Sequence, residues 1–155
     1  MTSRNARSSA RSLQSAIAAA LREALLPGDS QFTDQGLADA ARLVFEAASQ
    51  RPPGEPVIAI ESVTGRVGER LTRIAVINDD MPFLVDSIAA TVGSLGLGVD
   101  RLVHPVISVA RKADGTLEAI GEGDARIRES MIYMEAPRAD ARTRAKLRNA
   151  LESTL

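Results

Sequence analysis

The sequence predicts an α+β fold: an antiparallel sheet with helices on one face, preceded by an N-terminal helical hairpin. Three observations predict it. Leu13, Ile17, Leu21 and Leu25 recur every four positions, the spacing of an amphipathic helix. Beyond a proline-rich connector the period shortens to two, with Thr72, Ile74 and Val76 alternating against Leu71, Ala75 and Ile77, the signature of a strand. Helical spacing then returns twice, through Leu84, Ile88, Val92 and Leu95 and through Leu147, Leu151 and Leu155.

The elements follow in order. The first helix is expected over residues 12–26 and is stopped by Pro27-Gly28. Thr33 is a good N-cap for the second, and Phe32 before it and Leu37 after it could form a hydrophobic staple. Leu37, Ala41, Val44, Phe45 and Ala48 supply that helix's apolar face. The connector Arg51-Pro52-Pro53-Gly54-Glu55-Pro56 suits neither a helix nor an inner strand. It sets the expected boundary between a hairpin, 1–51, and an α+β domain, 52–155. Strands are expected at 57–63 and 70–78, joined by a glycine-containing turn at 64–68. Pro82 suits the first turn of the next helix, where its missing N–H costs nothing, and Gly96 and Gly98 close it. A long β-type run at 99–111, the Asp114-Gly115 turn and a strand at 116–120 read as a hairpin. A polar stretch to 128, a strand at 130–135 and a helix over 140–155 introduced by Pro137 and Asp140 complete the chain. Strands interleaved with two helices on one face of an antiparallel sheet form a ferredoxin-like architecture.

Bulk properties exclude several function classes. With 155 residues, 45% of them hydrophobic, the chain can bury a core without staples. It has no cysteine, hence no disulfide framework, thiolate nucleophile or zinc-thiolate site, which suits a reducing, cytoplasmic setting. A net charge of −1 and only four aromatic residues, three Phe and one Tyr, argue against a nucleic-acid partner. No apolar run approaches the roughly 20 residues that span a bilayer. Arg4, Arg7 and Arg11 precede an alanine-rich segment, but Gln14, Ser15, Arg22 and Glu23 interrupt the apolar core that a signal peptide needs.

The chemistry-bearing stretch is Asn78-Asp79-Asp80-Met81-Pro82-Phe83-Leu84-Val85-Asp86-Ser87. It lies on a strand-to-helix turn, where free N–H groups favour anions and carboxylates. Asp79 and Asp80 read first as N-cap and dipole complement, worth about 0.5–2 kcal/mol for the cap. Adjacent aspartates point different ways, and no further metal ligand follows at chelating spacing. Phe83 and Leu84 read as core, and Asp86 and Ser87 as solvated or capping groups. His104, the single histidine, precedes Pro105 within a strand pattern, which implies an edge or bulge and a histidine hydrogen-bonded in the sheet. No G-x-G-x-x-G, Walker lysine loop, H-E-x-x-H or G-x-S-x-G is present. No catalytic, cofactor-binding or metal-binding residue is therefore assigned.

Together, Ile77 to Ser87, His104-Pro105-Val106, Arg111 and Asp114-Gly115 resemble the N-terminal region of the large NAD-specific glutamate dehydrogenases of bacteria. The resemblance spans roughly residues 56–155. It implies the first of several ACT-type domains, ferredoxin-like in fold, ahead of a distant catalytic domain that oxidises glutamate to 2-oxoglutarate with NAD. The catalytic and NAD-binding machinery would lie outside these residues, so the chain would be a fragment, as Leu147, Leu151 and Leu155 running on without a stop also suggest. Implied partners are other domains of the parent chain, a homo-oligomer and an amino-acid effector. Amino-acid-binding ACT domains usually carry a glycine near this turn; here Met81, Pro82 and Phe83 stand there, which favours interdomain contact. The candidate effector or contact residues are Asn78, Asp79, Asp80, Met81, Pro82, Phe83, Asp86, Ser87 and His104. The alternatives are a free-standing amino-acid sensor and a small metal-dependent hydrolase using Asp79, Asp80, Asp86 and His104.

Overall fold

A computed structural model describes residues 2–64, 70–121, 123 and 126–155. Helix α1 (Thr2–Glu23) and helix α2 (Asp34–Ala48) form the N-terminal hairpin. Strands β1 (Val57–Thr64) and β2 (Arg70–Asp79) follow, then helix α3 (Leu84–Ser94). Next come β3 (Arg101–Val103), β4 (Val106–Arg111), β5 (Leu117–Ile120), β6 (Ile127–Pro137) and helix α4 (Ala141–Thr154). The turn expected between β1 and β2 falls on 65–69, outside the described residues.

The sheet is antiparallel in the order β1-β2-β6-β4-β5, with β3 also paired to β6. β6 is the axis. β2 runs along one side of it from Leu71↔Pro137 to Asp79↔Glu129, and β3 and β4 share the other side. The run expected at 99–111 is thus one strand course broken at His104-Pro105. Proline has no ladder N–H, yet the Pro105 carbonyl still accepts from Met131 N at 3.0 Å.

Side-chain alternation along the strands builds two cores. Ile58, Ile74, Val76, Ile132 and Met134 face α3 and α4, where they meet Leu84, Ile88, Val92, Leu147 and Leu151. Ala75, Ile77, Val103, Val109, Met131 and Tyr133 face the other way and are covered by Ile17, Leu21, Leu37, Val44 and Ala48 of the helical hairpin. The antiparallel sheet with two following helices on one face is as expected. The hairpin caps the opposite face, making three layers.

Local chemistry explains most element ends. Thr33 Oγ1 accepts from Gly36 N at 2.9 Å, and Asp140 Oδ1 accepts from Thr143 N at 2.7 Å, two N-caps of the expected kind. Helix α1 begins ten residues before the expected start at 12 (12 − 2) and ends at Glu23. β6 begins at Ile127 and ends at Pro137, beyond the 130–135 span that apolar alternation alone marks. Helix α3 starts two residues after Pro82, and neither Asp79 nor Asp80 caps it. Its N-cap position is Phe83 at φ 64°, ψ 9°, with no side-chain cap bond. Pro82 fixes its own φ near −65°, as the second residue of a type II turn requires, and Phe83 takes the third, left-handed place that glycine usually fills.

The exit of α2 is laced to the β4–β5 hairpin. Arg51 N donates to Gly115 O at 3.0 Å, and Leu117 N donates to Ser49 O at 3.0 Å. Gly115 has φ 93°, and a Cβ there would lie 2.2 Å from Arg51 O. Only glycine fits this approach. The lacing delivers the Arg51 side chain, 1% exposed, to Glu129, 0% exposed. Their Nη1–Oε2 distance is 2.6 Å. Arg111 binds the same carboxylate in two-pronged fashion, Nε–Oε2 2.9 Å and Nη2–Oε1 2.8 Å. Arg51 Nη1 also reaches Asp79 Oδ1 at 3.0 Å. Removing one partner from a buried ion pair strands the other charge, at about 3–5 kcal/mol. Glu129→Gln leaves two guanidiniums facing a neutral amide, so its unfolding free energy is expected to fall by about 3–5 kcal/mol. Urea titration checks this, with an unchanged m-value separating lost stability from altered compactness.

Candidate functional site

The stretch singled out in the sequence occupies one end of the sheet, where β2 leaves β6 and α3 begins. Strand alternation divides its two aspartates. Asp79, opposite Glu129, turns to the hairpin-covered face and joins Arg51. Asp80 turns to the other face. Its backbone N donates to Arg128 O at 3.3 Å, and its Oδ1 accepts from Ser130 Oγ at 3.2 Å. Ser130 Oγ also lies 2.9 Å from His104 Nε2. Asn78, 4% exposed, stands opposite Ser130 on the ladder.

His104 is thus the sheet-bonded histidine that the His-Pro pattern implies. Its pKa lies below the ordinary imidazole value of 6.5, because burial disfavours the cation more than the Asp80 carboxylate favours it. The Asp80–Ser130–His104 chain contains the residue types of a nucleophilic triad but not the arrangement. Its carboxylate accepts from the serine, and Ser130 is 0% exposed, so no substrate reaches Oγ. The chain can hold a proton and tie β6 to the β2 end and the β3–β4 break.

Asp86 and Ser87 are exposed in the first turn of α3, where the Asp86 charge complements the helix dipole. Ser87 N donates to Phe83 O at 3.0 Å, the first turn's own bond. The four residues required by the hydrolase alternative are therefore not assembled as a set. Only Asp80 and His104 meet, and they do so through Ser130. Among the described residues no group of three or more His, Cys, Asp or Glu side chains could hold a metal ion, and no helix is long and apolar enough to cross a membrane.

Phe83 is not core, as its sequence context suggests, but 77% exposed, and Met81 is 46% exposed. Ile127 at the start of β6 is 45% exposed. Continuing the β2–β6 register past Asp79↔Glu129 sets Met81 opposite Ile127. The end of the sheet therefore carries three uncovered large apolar side chains. Sequence reasoning missed Ser130, Glu129 and Arg51. Glu129 lies in phase with Met131 and Tyr133, a signal that it faces the same core, but it falls between the polar stretch ending at 128 and the strand expected from 130.

The family model described as "Glutamate dehydrogenase, ACT1 domain" matches residues 18–151. The NAD-specific glutamate dehydrogenase of Pseudomonas aeruginosa is 35% identical over 71 residues, 43% of this chain and 4% of that protein. The NAD-specific glutamate dehydrogenase of Halomonas elongata is 38% identical over 71 residues, again 43% of this chain and 4% of that protein. The matched stretch is thus a small fraction of these curated relatives' length. No solved structure matches the chain.

The His104 environment has a consequence for stability. Its folded pKa lies below its unfolded value, so below about pH 6.5 the unfolded chain takes up a proton that the folded chain resists. Stability is lost as pH falls from 6.5 toward the folded pKa, and the loss is complete below it. His104→Asn is expected to flatten the pH dependence of the urea midpoint in that window. An unchanged slope would show that other groups carry it.

Proposed function

We propose that this chain, which belongs to the family of glutamate dehydrogenase ACT1 domains, is a non-catalytic regulatory and assembly module of a longer NAD-dependent enzyme. In this reading the conversion of L-glutamate and NAD to 2-oxoglutarate, ammonium and NADH occurs on other parts of the polypeptide. The names and lengths of the relatives support it, since each matched stretch spans 4% of a protein named for that reaction.

The observation that carries the reading is Phe83. A left-handed conformation costs a residue with a Cβ about 1–2 kcal/mol. Phe83 is the one non-glycine residue with positive φ among the described residues. The strain holds a 77% exposed ring outward at a helix start. Strained backbone with an uncovered aromatic beside Met81 and Ile127 is the character of a contact point. The occupant in this reading is another domain of the same polypeptide. Burying the Phe83 ring there gains about 1.5–3 kcal/mol, enough to offset the strain.

Phe83→Gly tests this directly. Relief of strain by about 1–2 kcal/mol offsets the roughly 0.5–1 kcal/mol of backbone entropy that glycine loses on folding. The isolated chain's urea midpoint is therefore expected to hold, whereas a core phenylalanine truncated this way costs about 3–5 kcal/mol. In the longer polypeptide the same substitution is expected to loosen assembly, read by sedimentation velocity, while assembled enzyme keeps its turnover of glutamate. Unchanged assembly, or turnover lost with assembly intact, would refute the contact role.

A further inference from the structure

The strand course that carries His104 is weakest at that residue. β3 ends at Val103 and β4 begins at Val106. Their pairing with β6 stops at Val103↔Tyr133 and resumes at Val106↔Ser130. Pro105 has no N–H to give, and its carbonyl accepts from Met131 N. His104 therefore belongs to neither ladder, and its side chain can move without unzipping a strand. The ring is half-buried, and it is tied inward by the 2.9 Å contact of Nε2 with Ser130 Oγ.

Ser130 passes that contact on to the turn before α3. Its hydroxyl proton goes to Asp80 Oδ1 at 3.2 Å, and Asp80 N reaches Arg128 O at 3.3 Å. Both bonds lie at the long end of hydrogen-bond range, so the base of the turn from Asp80 to Phe83 is lightly held. The Asp80 carboxylate, at the end of β2, favours the imidazolium. On β6, Arg128 is exposed, Glu129 faces away to Arg51 and Arg111, and Tyr133 gives its hydroxyl to Glu135 on the hairpin side of the sheet. On α3, Asp86 is exposed. Burial outweighs the Asp80 charge at this ring. A proton gained by His104 therefore favours any arrangement that brings the ring to water.

We propose that His104 is an acid-released latch on the Phe83 turn: on gaining a proton its ring leaves Ser130 through the break between β3 and β4, and the turn loosens. The neutral ring can give or take a hydrogen bond at Nε2, whereas the cation only donates. Its departure opens the buried Ser130 hydroxyl to water, which competes for the proton now given to Asp80. Any effect on assembly rests on the Phe83 contact proposed above; the latch itself does not.

The test is an NMR titration of the 155-residue chain from about pH 7.5 to about pH 5, across the ordinary imidazole range and above the carboxylate range. The amides of Asp80, Met81, Phe83 and Leu84 are expected to shift with the midpoint of the His104 ring. Over the same interval the Asp80 amide should lose exchange protection, corrected for intrinsic rates, while Ile132 in the core keeps more of its own. Ser130→Ala should leave the ring titrating but the turn amides no longer following it, with Asp80 poorly protected throughout. His104→Asn should make the turn indifferent to pH, and it carries the test should the serine variant fail to fold. Turn amides that stay still while the ring titrates would overturn the latch. So would shifts that persist in both variants, or Asp80 protection that rises in acid. In the longer polypeptide, sedimentation velocity should show assembly loosening in acid with His104 and not with asparagine there. A latch seen in the isolated chain with assembly indifferent to pH would count against the Phe83 contact and leave the latch standing.

Discussion

The Glu129 carboxylate is the constraint on which the rest of the molecule depends. It is fully buried and is held by Arg51 from the connector and Arg111 from the end of β4. Through Arg51 it also gathers Asp79 at the end of β2. Four segments that hydrophobic burial alone would leave free to slide are thereby fixed in register. Nonpolar contacts are non-directional, and a sheet slipped by one residue turns every side chain to the wrong face. A buried, two-pronged carboxylate penalises such a slip heavily, because each unpaired charge is costly. The close approach of Gly115 to Arg51 O puts the connector where this pairing is possible.

β6 distributes polar function between the two faces. Glu129 and Ser130 are neighbours in sequence, yet one enters the ion cluster under the hairpin and the other the Asp80–His104 chain on the α3 side. Further along, Tyr133 and Glu135 return to the hairpin side at the opposite end. Burial pushes the Tyr133 phenol far above its ordinary range, and its bond to Glu135 acts in the same direction. One central strand thus anchors the fold near its start and joins a ladder row of alternating charge, Glu61–Arg73–Glu135–Arg101, near its end.

What could be read in the sequence was local. Thr33 and Asp140 cap helices because a short oxygen-bearing side chain before an apolar period has few other uses. Asp114-Gly115 turns a hairpin for similarly local reasons. The His104-Pro105 break and the histidine's sheet bond followed from proline's missing donor. The ion cluster was not legible, because Arg51 and Glu129 lie 78 residues apart and meet only once the register of β2, β4 and β6 is set. The charge row Glu61–Arg73–Glu135–Arg101 has the same origin. Helix α3 was misread at its start because Pro82 is equally at home in a helix's first turn and at the second place of a type II turn. The following residue decides between them, and a phenylalanine there argues locally for the helix.

That misreading separates folding from function at Phe83. Every local preference would remove a bulky residue from a left-handed position, and the sheet gains nothing from the ring, which stands outside both cores. Consistency between local preference and global fold is the rule for sequences that fold well, and departures from it cluster at functional positions. Asp80, Ser130 and His104 stiffen the base of the same turn from below. A rigid base beneath a strained, outward aromatic keeps the ring in one orientation, so little further entropy is lost when a partner covers it. The polar chain therefore serves the turn by preorganising it rather than by performing chemistry.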